Sequence, residues 1–325
     1  MLAVRGRRVR GVGAVCGGTA LLAVVGVGGW FGFARGEGGE APRPGEAAAV
    51  AGRLDLPWPG EGQTSIAVEG LGSLGREGGR QPVPIASVAK VMTAYVILKE
   101  HPLAGGQQGP RIRVDAAAAE ESHSLSESTA PLREGRRPTQ RQLLELLLLP
   151  SGNNVARLLA RWDAGSEKAF VVKMNRAAAR LGMDRTTYTG ASGFEASTRS
   201  TADDQLKLAR QAMKEPVLRA VVALRSTTVP GVPGTVTNTN RLLDEPGVIG
   251  LKTGSSTPAG GNLMWAAEVT SGAKRHLVLG VVLGQRARTT PTEGLDAALE
   301  KSGALIEAVR TGLPAALRAG EPVRT

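Results

Sequence analysis

Ser87-Val88-Ala89-Lys90 sets a hydroxyl and an amine three positions apart, a spacing that on a helix puts both on one face, one turn apart. Such a pair can build a nucleophile without histidine. Serine attacks only when another group takes its proton, and lysine takes one only when neutral, which requires burial or a second cation nearby. Arginine does not deprotonate in proteins. The chain carries 31 Arg against 9 Lys, so a lysine at this position is informative. A serine at a helix N-terminus also stands beside unpaired backbone N–H groups that can hold an oxyanion. The same spacing recurs at Ser271-Gly272-Ala273-Lys274, but that copy falls in a predicted hairpin turn with no helix to hold it.

Two further clusters carry polar chemistry. Ser151-Gly152-Asn153 follows Pro150 between two predicted helices, where side chains can project into a cleft. Ser151 can relay a proton, and the Asn153 amide offers a paired donor and acceptor to a substrate amide. An ordinary turn with a helix cap at Asn153 or Asn154 would use the same residues. Lys252-Thr253-Gly254 ends the apolar run Val248-Ile249-Gly250-Leu251. There Lys252 can supply the second cation that keeps Lys90 neutral, and Gly254 lets another backbone, such as a substrate's, come close. A plain strand end would read the same way. Metal chemistry finds no support: His101, His123 and His276 are the only histidines, no H-E-x-x-H occurs, and Cys16 is the only cysteine. A Ser-His-Asp triad lacks its G-x-S-x-G elbow, and His123 reads as a surface residue.

The elements that must position these residues follow from periodicity. Thr64 to Glu69 predicts a first strand, and Ser87 to Glu100 a helix with Val88, Val91, Met92, Tyr95 and Val96 on its apolar stripe. Further helices are predicted at 139–149, 154–162, 166–181 and 201–213, the last with Thr201 and Asp204 in a capping arrangement. After Pro216 the pattern shifts to short apolar segments at 217–229, 248–253, 262–269 and 276–284, then a final helix at 292–310. One early strand, a helical middle, late strands and a closing helix predict an α+β fold, an antiparallel sheet flanked by helices that joins both ends of the sequence around a helical insertion.

The N-terminus predicts export. Arg5, Arg7, Arg8 and Arg10 precede the 24 uncharged residues 11–34, long enough to span a bilayer despite eight glycines. The arginines should stay cytoplasmic, and Cys16 reads as a small membrane-buried residue. Gly32-Phe33-Ala34 also resembles a cleavage site, so residues 1–34 are an anchor or a signal peptide. Residues 35–60, rich in Gly, Pro, Ala and Glu, read as a linker, 61–312 as the working domain and 313–325 as a polar tail. From residue 35 onward, 36 basic and 29 acidic residues give +7, a charge that reads first as a solvated surface and otherwise suits anionic wall polymers or lipid head groups, and export argues against nucleic acid.

Taken in order, the S-x-x-K, S-x-N and K-T-G elements resemble the signature of penicillin-binding proteins and serine β-lactamases. The text around them, including 86–94, 149–154, Met174-Asn175, Leu181-Gly182-Met183 and 250–254, is similar to low-molecular-mass D-alanyl-D-alanine carboxypeptidases over roughly residues 60–290. The resemblance implies a β-lactamase/transpeptidase-like fold with an all-helical subdomain, and no cofactor. It implies Ser87 as nucleophile, Lys90 as base, and Ser151 and Asn153 on the proton path and substrate. Lys252 and Thr253 would receive the terminal carboxylate of a peptidoglycan stem peptide ending in D-Ala-D-Ala, with Gly254 and Ser255 beside them in the substrate site. The backbone N–H groups of Ser87 and Ser255 would form the oxyanion hole, and β-lactam antibiotics would be covalent inhibitors. Asn154 stands where relatives usually have Asp, Arg286 or Arg288 would assist with the carboxylate, and the short stretch after Gly312 would leave the N-terminal segment as the membrane anchor. A serine β-lactamase is the enzymatic alternative, against which no Leu-Asn pair is present for a deacylating Glu-x-x-Leu-Asn element. A non-catalytic penicillin-binding wall protein is the other.

Overall fold

The structure is a computed structural model that describes residues 45–319. The expected membrane segment with Cys16, the first part of the expected linker and residues 320–325 lie outside the described residues.

A short helix α1 (Glu46–Ala51) opens the described chain, followed by the hairpin β1 (Gln63–Val68) and β2 (Gly72–Gly78). A 3-10 turn, Ala86–Ala89, runs directly into α2 (Lys90–Glu100). The helical lobe comprises α3 (Ala116–Glu121), α4 (Gln140–Leu148), α5 (Asn153–Ala164), α6 (Glu167–Arg180), α7 (Ala202–Ala212) and α8 (Pro216–Val222). Three long strands return to the sheet: β3 (Val248–Ser256), β4 (Gly260–Ser271) and β5 (Lys274–Gln285), and α9 (Pro291–Arg318) closes the fold. The sheet is antiparallel in the order β2-β1-β5-β4-β3, so the N-terminal hairpin pairs with the last strand and β3 lies at an edge. This is the α+β architecture the sequence predicts.

The strands β4 and β5 are buried on both faces over most of their length, which explains why they read as nearly continuous apolar runs. Along β4, Leu263, Trp265 and Ala267 join one core beneath α9, while Met264 and Ala266 join the other beneath the helical lobe. The same alternation sends Ile66 and Ala67 of β1 to opposite sides. Helix α9 lies directly on the sheet: a Cβ added to Gly261 would fall 1.7 Å from the carbonyl oxygen of Gly294. Side-chain caps define several helix starts, with Thr139 in a reciprocal capping box and Ser166 and Thr201 each accepting a backbone N–H of the first turn.

Three boundaries differ from the sequence expectation. The apolar segment expected at 217–229 instead begins in α8, because Pro216 pre-sets the first helical turn and Val217, Leu218, Val221 and Val222 fall on one buried face. The expected linker contains α1, whose Val50 is buried in the core beneath α9. The final helix continues through Gly312 and Pro314 to Arg318, because Leu313 and Ala316 are buried and hold the last turns against the domain.

Candidate active site

Ser87 sits in the 3-10 turn, half-buried, and Lys90 opens α2, fully buried. Lys90 Nζ lies 2.8 Å from Ser87 Oγ. The pair therefore meets across the tight turn that leads into the helix, and not within a regular α-turn. Two carbonyl oxygens complete the surroundings of the amine: Ser192 O at 2.9 Å and Asn153 Oδ1. Ala86, immediately before the serine, holds φ 45°, and Ser151 holds φ 66°, two of the four non-glycine residues with positive φ among the described residues. Each such conformation costs about 1–3 kcal/mol and persists only where the surroundings impose it.

Asn153 is the first residue of α5, and its Nδ2 donates to Glu127 Oε2 at 2.6 Å. Arg157, one turn along α5, donates to both Glu127 oxygens at 3.0 and 2.6 Å and to Glu121 at 3.1 Å. Asn154 points away from the amine. Its amide bonds Ala118 O, Ser122 Oγ and both backbone groups of Ala130, and so pins the loop that bears Glu127. Ser151 is buried nearby, its Oγ without a hydrogen-bond partner among the described residues.

The edge strand β3 brings Lys252, Thr253, Gly254 and Ser255 to the same place. Lys252 is 1% exposed and pairs with no carboxylate among the described residues, while its Nζ lies 3.4 Å from Thr253 Oγ1. Thr253 Oγ1 in turn meets Thr239 Oγ1, from a loop whose backbone N–H donates to Leu149 O just before the S-x-N element. Gly254 faces the nucleophile's own turn. A Cβ there would lie 2.8 Å from Val88 N and 2.9 Å from Ser87 N. The backbone that requires glycine is thus that of the Ser87 turn, where the sequence reading had placed a substrate.

A groove of about 560 Å³ opens above these residues, lined by Ser87, Glu127, Asn153 and Ser255 and flanked by Leu125 and Phe194. Leu125 is fully exposed and Phe194 is half exposed. Arg286 and Arg288 follow β5, and the Arg288 N–H donates to Thr257 O beside the groove, but neither side chain is part of its lining. The Ser271–Lys274 copy of the motif pairs across the β4–β5 hairpin, remote from this turn in the fold.

Electrostatics set the site apart. Burial pushes the Lys90 ammonium well below its usual range, and the cations Lys252 and Arg157 push the same way, against a smaller opposing pull from Glu127 and Glu195. Burial alone lowers Lys252 to about 7. For Glu127, burial raises the carboxyl, but the hydrogen bonds from Arg157 and Asn153 outweigh it and hold the group below its ordinary value. A neutral amine has two N–H donors and one lone pair. With Ser192 O and Asn153 Oδ1 able only to accept, the lone pair is left for the Ser87 hydroxyl.

A serine whose hydroxyl meets a buried lysine amine, seated between a helical lobe and the edge of an antiparallel sheet, is the arrangement of a class of serine enzymes that dispense with histidine. Within it, the chain belongs to the D-alanyl-D-alanine carboxypeptidase family of peptidases, whose profile matches residues 74–287. It is 35% identical over 213 residues to a D-alanyl-D-alanine carboxypeptidase of a Streptomyces species, covering 61% of this chain and 71% of that one. It is 34% identical over 215 residues to the D-alanyl-D-alanine carboxypeptidase DacB2 of Mycobacterium tuberculosis, covering 64% and 69%. The crystal structure of a Streptomyces DD-transpeptidase superimposes with a TM-score of 0.67 at 28% identity, covering 78% of this chain and 98% of that one. Penicillin binding protein 6B from Escherichia coli does so with a TM-score of 0.62 at 28% identity, covering 76% and 80%.

The residues that sequence reasoning missed are Glu127, Arg157, Thr239 and the carbonyl of Ser192. The stretch from Ser122 to Thr129, polar except for Leu125 and ahead of the S-x-N element, was the available signal for Glu127.

Proposed function

We propose that this protein is a serine D-Ala-D-Ala carboxypeptidase that removes the terminal D-alanine from peptidoglycan stem peptides through an acyl-enzyme on Ser87. The observation that carries the reading is the contact of Ser87 Oγ with a fully buried Lys90 amine, with a second buried cation, Lys252, in the same site. Lys90 takes the hydroxyl proton as Ser87 Oγ bonds to the carbonyl carbon of the penultimate D-alanine. The backbone N–H groups of Ser87 and Ser255 hold the developing oxyanion. The C–N bond then breaks, and the leaving amine of D-alanine takes the proton back, by way of Ser151. Water, deprotonated by Lys90, then attacks the ester carbonyl, and the Ser87–acyl bond breaks as Ser87 Oγ takes that proton back. Lys252 and Thr253, with Gly254 fixing the strand against the nucleophile's turn, receive the terminal carboxylate, and Asn153 holds the substrate amide. A positioned base of this kind contributes about 10²–10⁴-fold. Penicillins and other β-lactams arrest the reaction at the acyl-enzyme.

The domain works outside the cytoplasm, held at the cell membrane by residues 1–34 or secreted after their removal. The reading is supported by the arginine cluster and the uncharged run that follows it. Among the described residues, no helix is long and apolar enough to cross a membrane. Cell fractionation of the full chain beside a chain starting at residue 45 tests this part.

The decisive assay is release of D-alanine from a synthetic peptide ending in D-Ala-D-Ala. Release by the wild type, lost in Ser87→Ala, is expected. A folded wild type that releases none and takes no label from a fluorescent penicillin would end the proposal.

A further inference from the structure

An asparagine amide can face a neighbour with its oxygen or its nitrogen, and at Asn153 the choice decides what Lys90 meets. With Oδ1 toward Lys90, the amide accepts an N–H and leaves the amine lone pair for Ser87. Turned over, it presents an N–H that competes for that lone pair, or opposes the ammonium when Lys90 is charged. Nothing in Asn153 itself selects between the two. Glu127 does, because an ionised carboxylate is acceptor-only and its Oε2 lies 2.6 Å from the amide nitrogen.

Placing a carboxylate there carries a penalty. Its negative charge favours protonation of Lys90 and works against the base. Arg157 answers it with two hydrogen bonds to Glu127 and is itself a cation acting on Lys90 in the opposite sense. Glu127 reaches the site from the loop ahead of α5 and Arg157 from α5. Lys252 on β3 and Glu195 in the loop after α6 are the other charged groups that act on Lys90. Asn154 fixes the loop through Ala130, and Arg157 bridges Glu127 to Glu121 on α3, so the arrangement is anchored at both ends.

We infer that Glu127, held ionised by Arg157, is a positioning residue that fixes the direction of the Asn153 amide and thereby aims the Lys90 lone pair at Ser87. This rests on the proposed role of Lys90 as base. Neither Glu127 nor Arg157 touches the reacting atoms. Their signature is therefore in the pH dependence of acylation, which a purely structural role would leave in place.

The test measures the second-order rate of benzylpenicillin acylation by intact mass between pH 5 and 10, in wild type, Glu127→Ala, Glu127→Gln and Arg157→Met. Circular dichroism establishes which variants fold. Glu127→Ala frees the amide to turn and should lose about 10- to 100-fold on the alkaline plateau, where Lys90 is neutral in every variant. Glu127→Gln keeps an acceptor for the amide but removes the negative charge, so its acid limb should move to lower pH. Arg157→Met bares the carboxylate, so its acid limb should move to higher pH, each by roughly one unit. Should Glu127→Ala not fold, the opposed shifts of the other two decide the matter. Acid limbs that stay put or move together, or a folded Glu127→Ala at the wild-type rate, would overturn the inference. A wild type that penicillin does not acylate would remove the role of Lys90 first, and this inference with it.

Discussion

Lys90→Arg replaces an amine that can be neutral by a group that stays charged, and so removes the capacity to lose a proton. Burial depresses an amine far enough to act as a base, but a guanidinium stays protonated in any protein interior. Penicillin acylation should therefore fall by about 10³-fold or more in this variant, measured as the rate at which the intact mass gains one adduct. Acylation within tenfold of wild type would remove Lys90 from the proton path. The residues that make this argument were legible in the sequence because the chemistry narrows the choice of residue type. Ser87 and Asn153 line one groove, and the Lys90 amine contacts both. What surrounds the amine was not legible. Ser192 contributes a backbone carbonyl from 102 positions away, and any residue could supply that atom. Glu127 and Arg157 look like ordinary surface charges until the fold brings α5 beneath the loop.

At the scale of elements, the site depends on how closely β3 passes the turn before α2. Gly254→Ala would set a methyl group 2.8–2.9 Å from the backbone nitrogens of Val88 and Ser87, atoms that cannot rotate aside as a flexible side chain can. The strand and the turn must separate, which moves Ser87 relative to Ser255. Overpacking of this kind costs about 1–3 kcal/mol, and an ångström of misplacement costs roughly 10²-fold in rate. A protein that still folds, with a lowered urea midpoint and acylation reduced by about that factor, is the expected outcome. Unchanged acylation would show that the turn and strand need not touch. Helix starts were readable where a cap gives a local signal, as at Thr139 and Thr201. The last helix was cut short because Gly312 and Pro314 are local breakers, while burial of Leu313 is a tertiary fact. Leu313→Ala should therefore lower stability by about 2–5 kcal/mol in urea unfolding, and a loss below 0.5 kcal/mol would place it in a tail.

For the whole molecule, the active site is a burden on stability that varies with pH. Lys252 has a folded pKa of about 7, held down by burial, and Lys90 lies well below its usual value, whereas both titrate near 10.4 in the unfolded chain. Between roughly pH 7 and 10 the unfolded state thus binds more protons than the folded state, so stability rises with pH across that window, by at most about 1.4 kcal/mol per pH unit for each lysine. Below pH 7 the full penalty of burying the Lys252 charge is present. The melting temperature of the wild type should rise between pH 7.5 and 9, and Lys252→Met should remove about half of the part due to the two lysines. The same groups bound the catalytic window. With Lys90 as base and Lys252 as carboxylate receptor, as proposed, acylation should gain as Lys90 loses its proton, and carboxylate binding should be lost as Lys252 loses its own. D-Alanine, the product that keeps the substrate's terminal carboxylate, should accordingly raise the melting temperature more at pH 6.5 than at pH 9, taking up a proton as it binds above pH 7. Equal increments at both pH values, in a protein whose Lys252→Met variant still responds to the product, would separate that lysine from the carboxylate and leave its burial without a purpose in the reaction.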